Sequence, residues 1–326
     1  MDPTRRTLLD AAGAATLAAV LPQRALAQAW PNKPVRFVVP FAPGGSSEII
    51  ARACAVELSK TLGQNVFVEN KPGASGNIAM AEVARADDQH AIILGHIGTL
   101  AVNPYMFAKL PYDANKDFKP VSLLAKVPSL YVVHPDVPAK NLKEFVALAK
   151  AKPGSTNYGS AGNGSAGHLA MEYLKLTAGF TMTHIPYKGT GPQLTDLLAG
   201  RLEAASVGAS ALMQHIKAGK LRCIATGSAQ RLPQLPDVPT VAEQGYPGFE
   251  MTQWYGILAP ASMAHANVER LAAEAQKAMK SQGALERLNQ DAALSVGGTP
   301  AQFAQFIGEE QKRWKQVVER AQIKAE

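Results

Sequence analysis

Cysteine is almost missing from this 326-residue chain: Cys54 and Cys223 are the only two. They lie far apart on different predicted elements, so the expectation is two separate core thiols rather than a bridge, and they form no metal pattern. Charge is sparse as well. Only 18% of residues are Asp, Glu, Lys or Arg, too few for an intrinsically disordered chain. No block of five or six like charges occurs, although 33 Lys+Arg against 26 Asp+Glu leave a net +7. The richest basic stretch, Lys312, Arg313 and Lys315, shares a predicted helix with Glu309, Glu310 and Glu319. That is a solvated, salt-bridged face, and no nucleic-acid partner is expected. The seven histidines form no H-x-x-x-H or H-E-x-x-H pair, which removes the usual basis for metal catalysis. The glycine loops lack the lysine of a P-loop, and neither Ser160 nor Ser165 fits a nucleophile elbow, because Tyr158 and Asn163 stand two positions before them where the elbow needs glycine. No cofactor is expected. After the first residues, no segment is apolar and long enough to be a membrane helix.

What is present is length and apolar content. With 47% apolar residues the chain can bury a sizeable core, and 326 residues exceed what one core organises, so two domains are expected. Arg5-Arg6, the apolar run Ala11 to Leu21 and Ala25-Leu26-Ala27 read as an export signal over 1–27, similar to a twin-arginine signal. Asp10 stands where such signals often carry lysine, so the general secretory route stays open. Either route delivers the mature chain to the periplasm.

Along the mature chain, strands and helices alternate. Val35 to Pro40, Asn65 to Glu69 and Ala91 to Gly95 read as strands, with helices at Ser47 to Leu62 and Asn77 to Arg85. The alternation restarts near Leu130 and continues to Thr226. Arg231 to Phe249 is rich in Pro and Gly and reads as a long surface connection, after which Thr252 to Leu258 is again a strand and the last helices follow. Such alternation builds α/β lobes with parallel sheets.

Two loops each follow a buried strand and open a helix: Phe41 to Ser47, with Ala42, Gly44, Gly45 and Ser46, and Ser160 to Ser165, with Ala161, Asn163 and Gly164. Free backbone N–H groups and the helix dipole make such junctions anion sites, and glycine lets the backbone approach. The plainer reading is that Ser46 or Ser47, and Ser165, cap their helices. His168 follows in the first turn, Tyr187 stands at a third junction, and Thr99 follows the strand Ala91 to Gly95. Gly162 to Gly167 also fits the dinucleotide spacing G-x-G-x-x-G, but the following strand ends at Pro186-Tyr187-Lys188 with no acid for a ribose.

Seven segments in order resemble the Bug family of periplasmic receptors, which serve tripartite tricarboxylate transporters. They are Pro40 to Gly45, Asn70 to Ala74, Asn103-Pro104, Tyr158 to Ser165, Pro186 to Gly189, Ala218 to Arg222 and Leu235 to Thr240. The resemblance implies a two-lobed type II periplasmic binding protein fold of α/β class, with hinge strands and an interlobe cleft. It implies one lobe from 28–129 and 250–326, a second from 130–249, and a ligand carboxylate held by the two loops. Partners would be a small carboxylate, di- or tricarboxylate, and the cognate inner-membrane transporter subunits, with the protein a monomer and not an enzyme. Many relatives carry Asp where Glu48 stands, and an acid or amide near Val207-Gly208-Ala209, where this chain has small apolar residues. An aromatic dicarboxylate would suit that loss of polarity. Two other readings share the sequence: an exported cofactor-dependent enzyme, and a ligand sensor accessory to a membrane kinase.

Overall fold

The computed structural model describes residues 30–290 and 292–324, so the export signal expected over 1–27 lies outside the described residues. The first half opens with β1 (Val35–Val39), α1 (Ser46–Leu62), β2 (Val66–Asn70), α2 (Asn77–Ala84) and β3 (Ala91–His96), and β1 runs parallel to both β2 and β3. Each helix returns the chain to the same end of the sheet, as parallel strands require. Gly63 ends α1 in the left-handed conformation, φ 68°, where glycine has no steric penalty. After a π-helical turn at Gly98–Val102 and the short α3 (Asn103–Met106), the chain enters β4 (Phe118–Val133), a 16-residue strand.

The alternation then resumes as expected. It comprises α4 (Leu142–Ala151), β5 (Asn157–Ser160), α5 (Ala166–Ala178), β6 (Thr183–Pro186), α6 (Thr190–Leu198), β7 (Ala204–Gly208), α7 (Ala209–Lys217) and β8 (Arg222–Thr226). No helix or strand occupies 231–249, in line with its Pro and Gly content. The chain closes with β9 (Thr252–Pro260), α8 (His265–Lys280), α9 (Gln282–Gln290), β10 (Leu294–Ser295) and α10 (Pro300–Ala321).

Strand order is β2-β1-β3-β9-β4-β7-β5-β6, with β8 and β10 also paired to β4. The flanks are parallel, but the centre is not: β9 is antiparallel to β3 and β4, and β4 is antiparallel to β7. A purely parallel reading is therefore corrected. The cause is that β4 leaves one half of the sheet and enters the other, and a strand returning beside it must run the opposite way. The two halves are the lobes. Where they join, Ser129 N–H donates to Met251 O (3.2 Å), Gly227 N–H to Ser129 O (2.7 Å) and Met251 N–H to Gly227 O (2.7 Å). Alternating strand residues feed two hydrophobic layers, one on each face: Val35, Phe37 and Val39 point into one, Val38 into the other. Cys54 and Cys223 both carry free thiols.

Candidate ligand-binding site

The loop from β1 to α1 has Gly44 at φ 94°, and Gly45 caps α1 without help from a side chain. Ser46 and Ser47 are thus not caps, and both are buried. Gly44 N–H donates to Glu48 Oε2 at 2.8 Å, and Arg52 holds the same carboxylate. Glu48 therefore fixes the loop from outside, and the Gly44 amide is not free for a ligand. In the second loop, Gly162 and Gly164 adopt φ 118° and 70°. Ser165 does cap its helix, its Oγ accepting from His168 N at 3.4 Å.

These loops face each other across the cleft and enclose a cavity of about 40 Å³. Four helices begin at its wall: α1 at Ser46, α5 at Ala166, α6 at Thr190 and α7 after its cap Gly208. Four N-terminal dipoles aimed at one volume make it electropositive without a cationic side chain. Indeed no Asp, Glu, Lys or Arg lines it. The hydroxyls of Ser46 and Ser206, 3% and 0% exposed, line the cavity and have no hydrogen-bond partner. The Ser46 hydroxyl sits beside the Tyr255 phenol without completing a hydrogen bond. Buried groups left in this state point to a guest that supplies the missing acceptor.

His96 and the crossing strand form the floor. The His96 Nδ1 accepts from Gly98 N (2.6 Å) and Thr99 N (3.3 Å), so the ring proton sits on Nε2. Burial pushes its pKa down to about 3, which leaves a neutral donor. Its ring stacks on Phe41, with centroids 4.6 Å apart, and meets Tyr255 edge-on. Tyr255 donates to Gln253 Oε1 (2.6 Å), and Gln253 Nε2 donates to Ser129 Oγ (3.3 Å).

Among the residues singled out from the sequence, Phe41, Ser46, Ser47, Ala161 and Ser165 line the cavity. Ala42, Gly44 and Gly45 lie at the lip, where Gly45 approaches Thr190 of the other lobe. Thr99 is buried and orients His96. Ser160 and His168 stand behind the second loop: Ser160 Oγ lies 2.6 Å from His184 Nε2, and His168 Nδ1 accepts from Gly164 N at 3.0 Å. The two imidazoles stack at 4.0 Å, 5° from parallel. Beneath them Glu172 takes the Tyr158 hydroxyl and the Lys175 ammonium. Asn163 is partly exposed, and Tyr187 turns outward to Asp196 (2.7 Å). Sequence reasoning missed His96, Gln193, Ser206, Gln253 and Tyr255 as lining residues. Gln253 and Tyr255 carried an unused signal, polar side chains two apart on one face of an otherwise apolar strand.

Residues 50–323 match the family described as the tripartite tricarboxylate transporter family receptor. Protein BugT of Bordetella pertussis is 35% identical over 90% of this chain and 90% of its own. Among solved structures, a Rhodopseudomonas palustris protein with adipate is 34% identical, covering 90% of this chain and 99% of that one, TM-score 0.88. MatC from the same organism, with bound malate, is also 34% identical, covering 89% and 100%, TM-score 0.85.

Proposed function

This chain belongs to the tripartite tricarboxylate transporter receptor family, and from that premise we propose that its charge-free cavity captures a small carboxylate between the two lobes. As a family member it is a periplasmic carboxylate-binding receptor. The finer reading is that residues 28–129 with 250–326, and 130–249, are the two lobes, and that the β1–α1 and β5–α5 loops hold one carboxylate jointly. Export by the segment 1–27, action as a monomer and hand-over to membrane transporter subunits belong to the same proposal. Receptor ancestry favours reversible capture over a cofactor-dependent reaction.

The observation that carries the reading is the convergence of four helix N-termini on a cavity with unpartnered serine hydroxyls and no charged side chain. An anion satisfies those donors, and because it touches both lobes it stabilises the closed arrangement. Calorimetric titration of the Ser165→Leu variant tests it. The substitution removes a cavity hydroxyl and a helix cap, so acid affinity should fall at least tenfold while the protein stays folded. Unchanged affinity contradicts the assignment.

A further inference from the structure

Two of the segments singled out in the sequence, Asn70 to Ala74 and Asn103-Pro104, take no part in the wall of the cavity. They meet around Ser75. Gly73, Ala74, Ser75 and Gly76 all have positive φ, 136°, 46°, 56° and 89°, a left-handed turn in which the alanine and the serine are strained. Asn103 holds that turn, its Nδ2 donating to Ser75 O (3.1 Å) and to Asn77 Oδ1 (2.7 Å). The inner side of the turn faces the ligand site. A Cβ on Gly76 would lie 2.8 Å from Thr99 Cγ2, and Thr99 N–H donates to His96 Nδ1. The Asn103 side chain also lies against Gly164 of the other lobe, with its Oδ1 3.0 Å from where a Cβ on that glycine would stand. The turn is thus braced from within its own lobe and, through Asn103, from the opposite one.

The outer side of the same turn is open. Ala74, Asn77 and Ile78 line a surface groove of about 680 Å³ together with Phe107 and Pro111, and Ile78 is 50% exposed. Glu82 in its wall is engaged by Arg36 and Lys71. Arg85 and Lys109, also in the wall, are exposed and have no charged partner among the described residues. The groove therefore pairs apolar surface with two uncompensated cations.

We propose that this groove docks an acidic loop of a transporter membrane subunit, one that carries an apolar side chain, and that the Ser75 turn tells it whether the lobes are closed. This rests on the receptor reading above. An exposed apolar side chain among unpaired cations is complementary to a segment of opposite charge with an apolar side chain of its own. Strain at Ala74 and Ser75 persists only while the surrounding contacts hold it. Opening the lobes withdraws Gly164 from Asn103 and loosens that hold. The groove keeps its shape best in the loaded, closed receptor, which gives the partner a preference for that state.

Binding of the purified protein to nanodiscs carrying its cognate transporter membrane subunits tests the proposal, with and without whichever of succinate, malate and citrate raises the melting temperature most. Arg85→Glu combined with Lys109→Glu, and separately Ile78→Glu, should each weaken docking at least tenfold and leave acid affinity within twofold. Lys217→Glu combined with Lys220→Glu, exposed on the other lobe, should change docking less than twofold. Saturating acid should tighten wild-type docking at least fivefold, and Asn103→Ser should erase that gain. Should Asn103→Ser fail to fold, the surface variants and the acid dependence decide. The proposal is overturned by absent wild-type docking, by groove variants that dock normally, or by an equal loss in the Lys217 and Lys220 control. Equal binding to nanodiscs of the same anionic lipids without the subunits, docking indifferent to acid, or a folded Asn103→Ser that keeps the gain also overturns it. Each of these leaves the receptor reading standing as long as an acid binds. Absence of a melting shift with all three acids overturns both.

Discussion

Gly191, at the start of α6, packs against Pro43 of the opposite lobe so closely that a Cβ on it would lie 2.6 Å from the Pro43 carbonyl oxygen. The next atom, the Pro43 carbonyl carbon, would lie 3.7 Å from that Cβ, and the Gly191 backbone is not left-handed. The clash is therefore confined to the closed interface.

Gly191→Ala should leave each lobe folded and hinder closure. The expected result is ligand affinity reduced about tenfold, equivalent to ~1.4 kcal/mol, with melting of the ligand-free protein nearly unchanged. Calorimetry and a thermal melt read the two quantities separately. A loss of ligand-free stability with affinity retained would contradict a closure role.

The stacked pair His168 and His184 should set the geometry of the second loop. His168→Asn keeps an acceptor near the position of Nδ1 for the Gly164 amide, whereas His168→Leu removes it. The leucine variant should bind ligand at least fivefold more weakly than the asparagine variant. Equal affinities would show that the loop holds its shape without this bond.

Three buried imidazoles make stability fall with acidity. Burial, first of all, pushes His96 to about 3, His168 to about 4 and His184 to about 3. Between an unfolded pKa near 6.5 and those values the unfolded chain binds more protons, so stability drops as pH falls, by up to about 1.4 kcal/mol per pH unit for each ring. Urea unfolding at pH 7 and pH 4.5 should show the loss, and His184→Gln should reduce the slope. A flat profile across that window contradicts neutral buried rings.

Glu310 accepts from both the Trp254 indole (2.7 Å) and the Trp314 indole (3.0 Å), tying α10 to the crossing strand β9. Glu310→Ala would strand two buried donors and should cost about 2–4 kcal/mol. Glu310→Gln keeps an acceptor and should cost about half as much or less. Denaturant midpoints of the two variants check the order.

The β–α alternation and both glycine loops that line the cavity were legible because they depend on local signals: β-branched runs, helix periodicity, and glycine at strand-to-helix turns. The crossing strand β4 was legible only from Tyr131 onward. Pro120 and Pro128 lie inside it and read as breakers, yet register shifts near Pro120 and Leu123 accommodate the first, and Pro128 sits where the strand passes between lobes. Its antiparallel pairing with β9 joins segments more than a hundred residues apart, which no local pattern encodes. The floor of the cavity was hidden for the same reason. Ser46, His96, Ser206 and Tyr255 come from four separate elements, and only the tertiary fold brings them together. Val207-Gly208-Ala209 reads as apolar by itself, although Ser206 directly before it lines the cavity and the Ser46 side chain lies against Gly208.

The central claim is that donors of two lobes jointly neutralise one carboxylate, and thermal unfolding with matched acids and methyl esters tests it most directly. At a hundredfold excess over Kd, a bound acid stabilises by about 2.7 kcal/mol, a rise of several degrees in Tm. Succinate should produce that rise and dimethyl succinate should not. No shift with any small organic acid at millimolar excess, or an equal shift with the ester, would contradict the account.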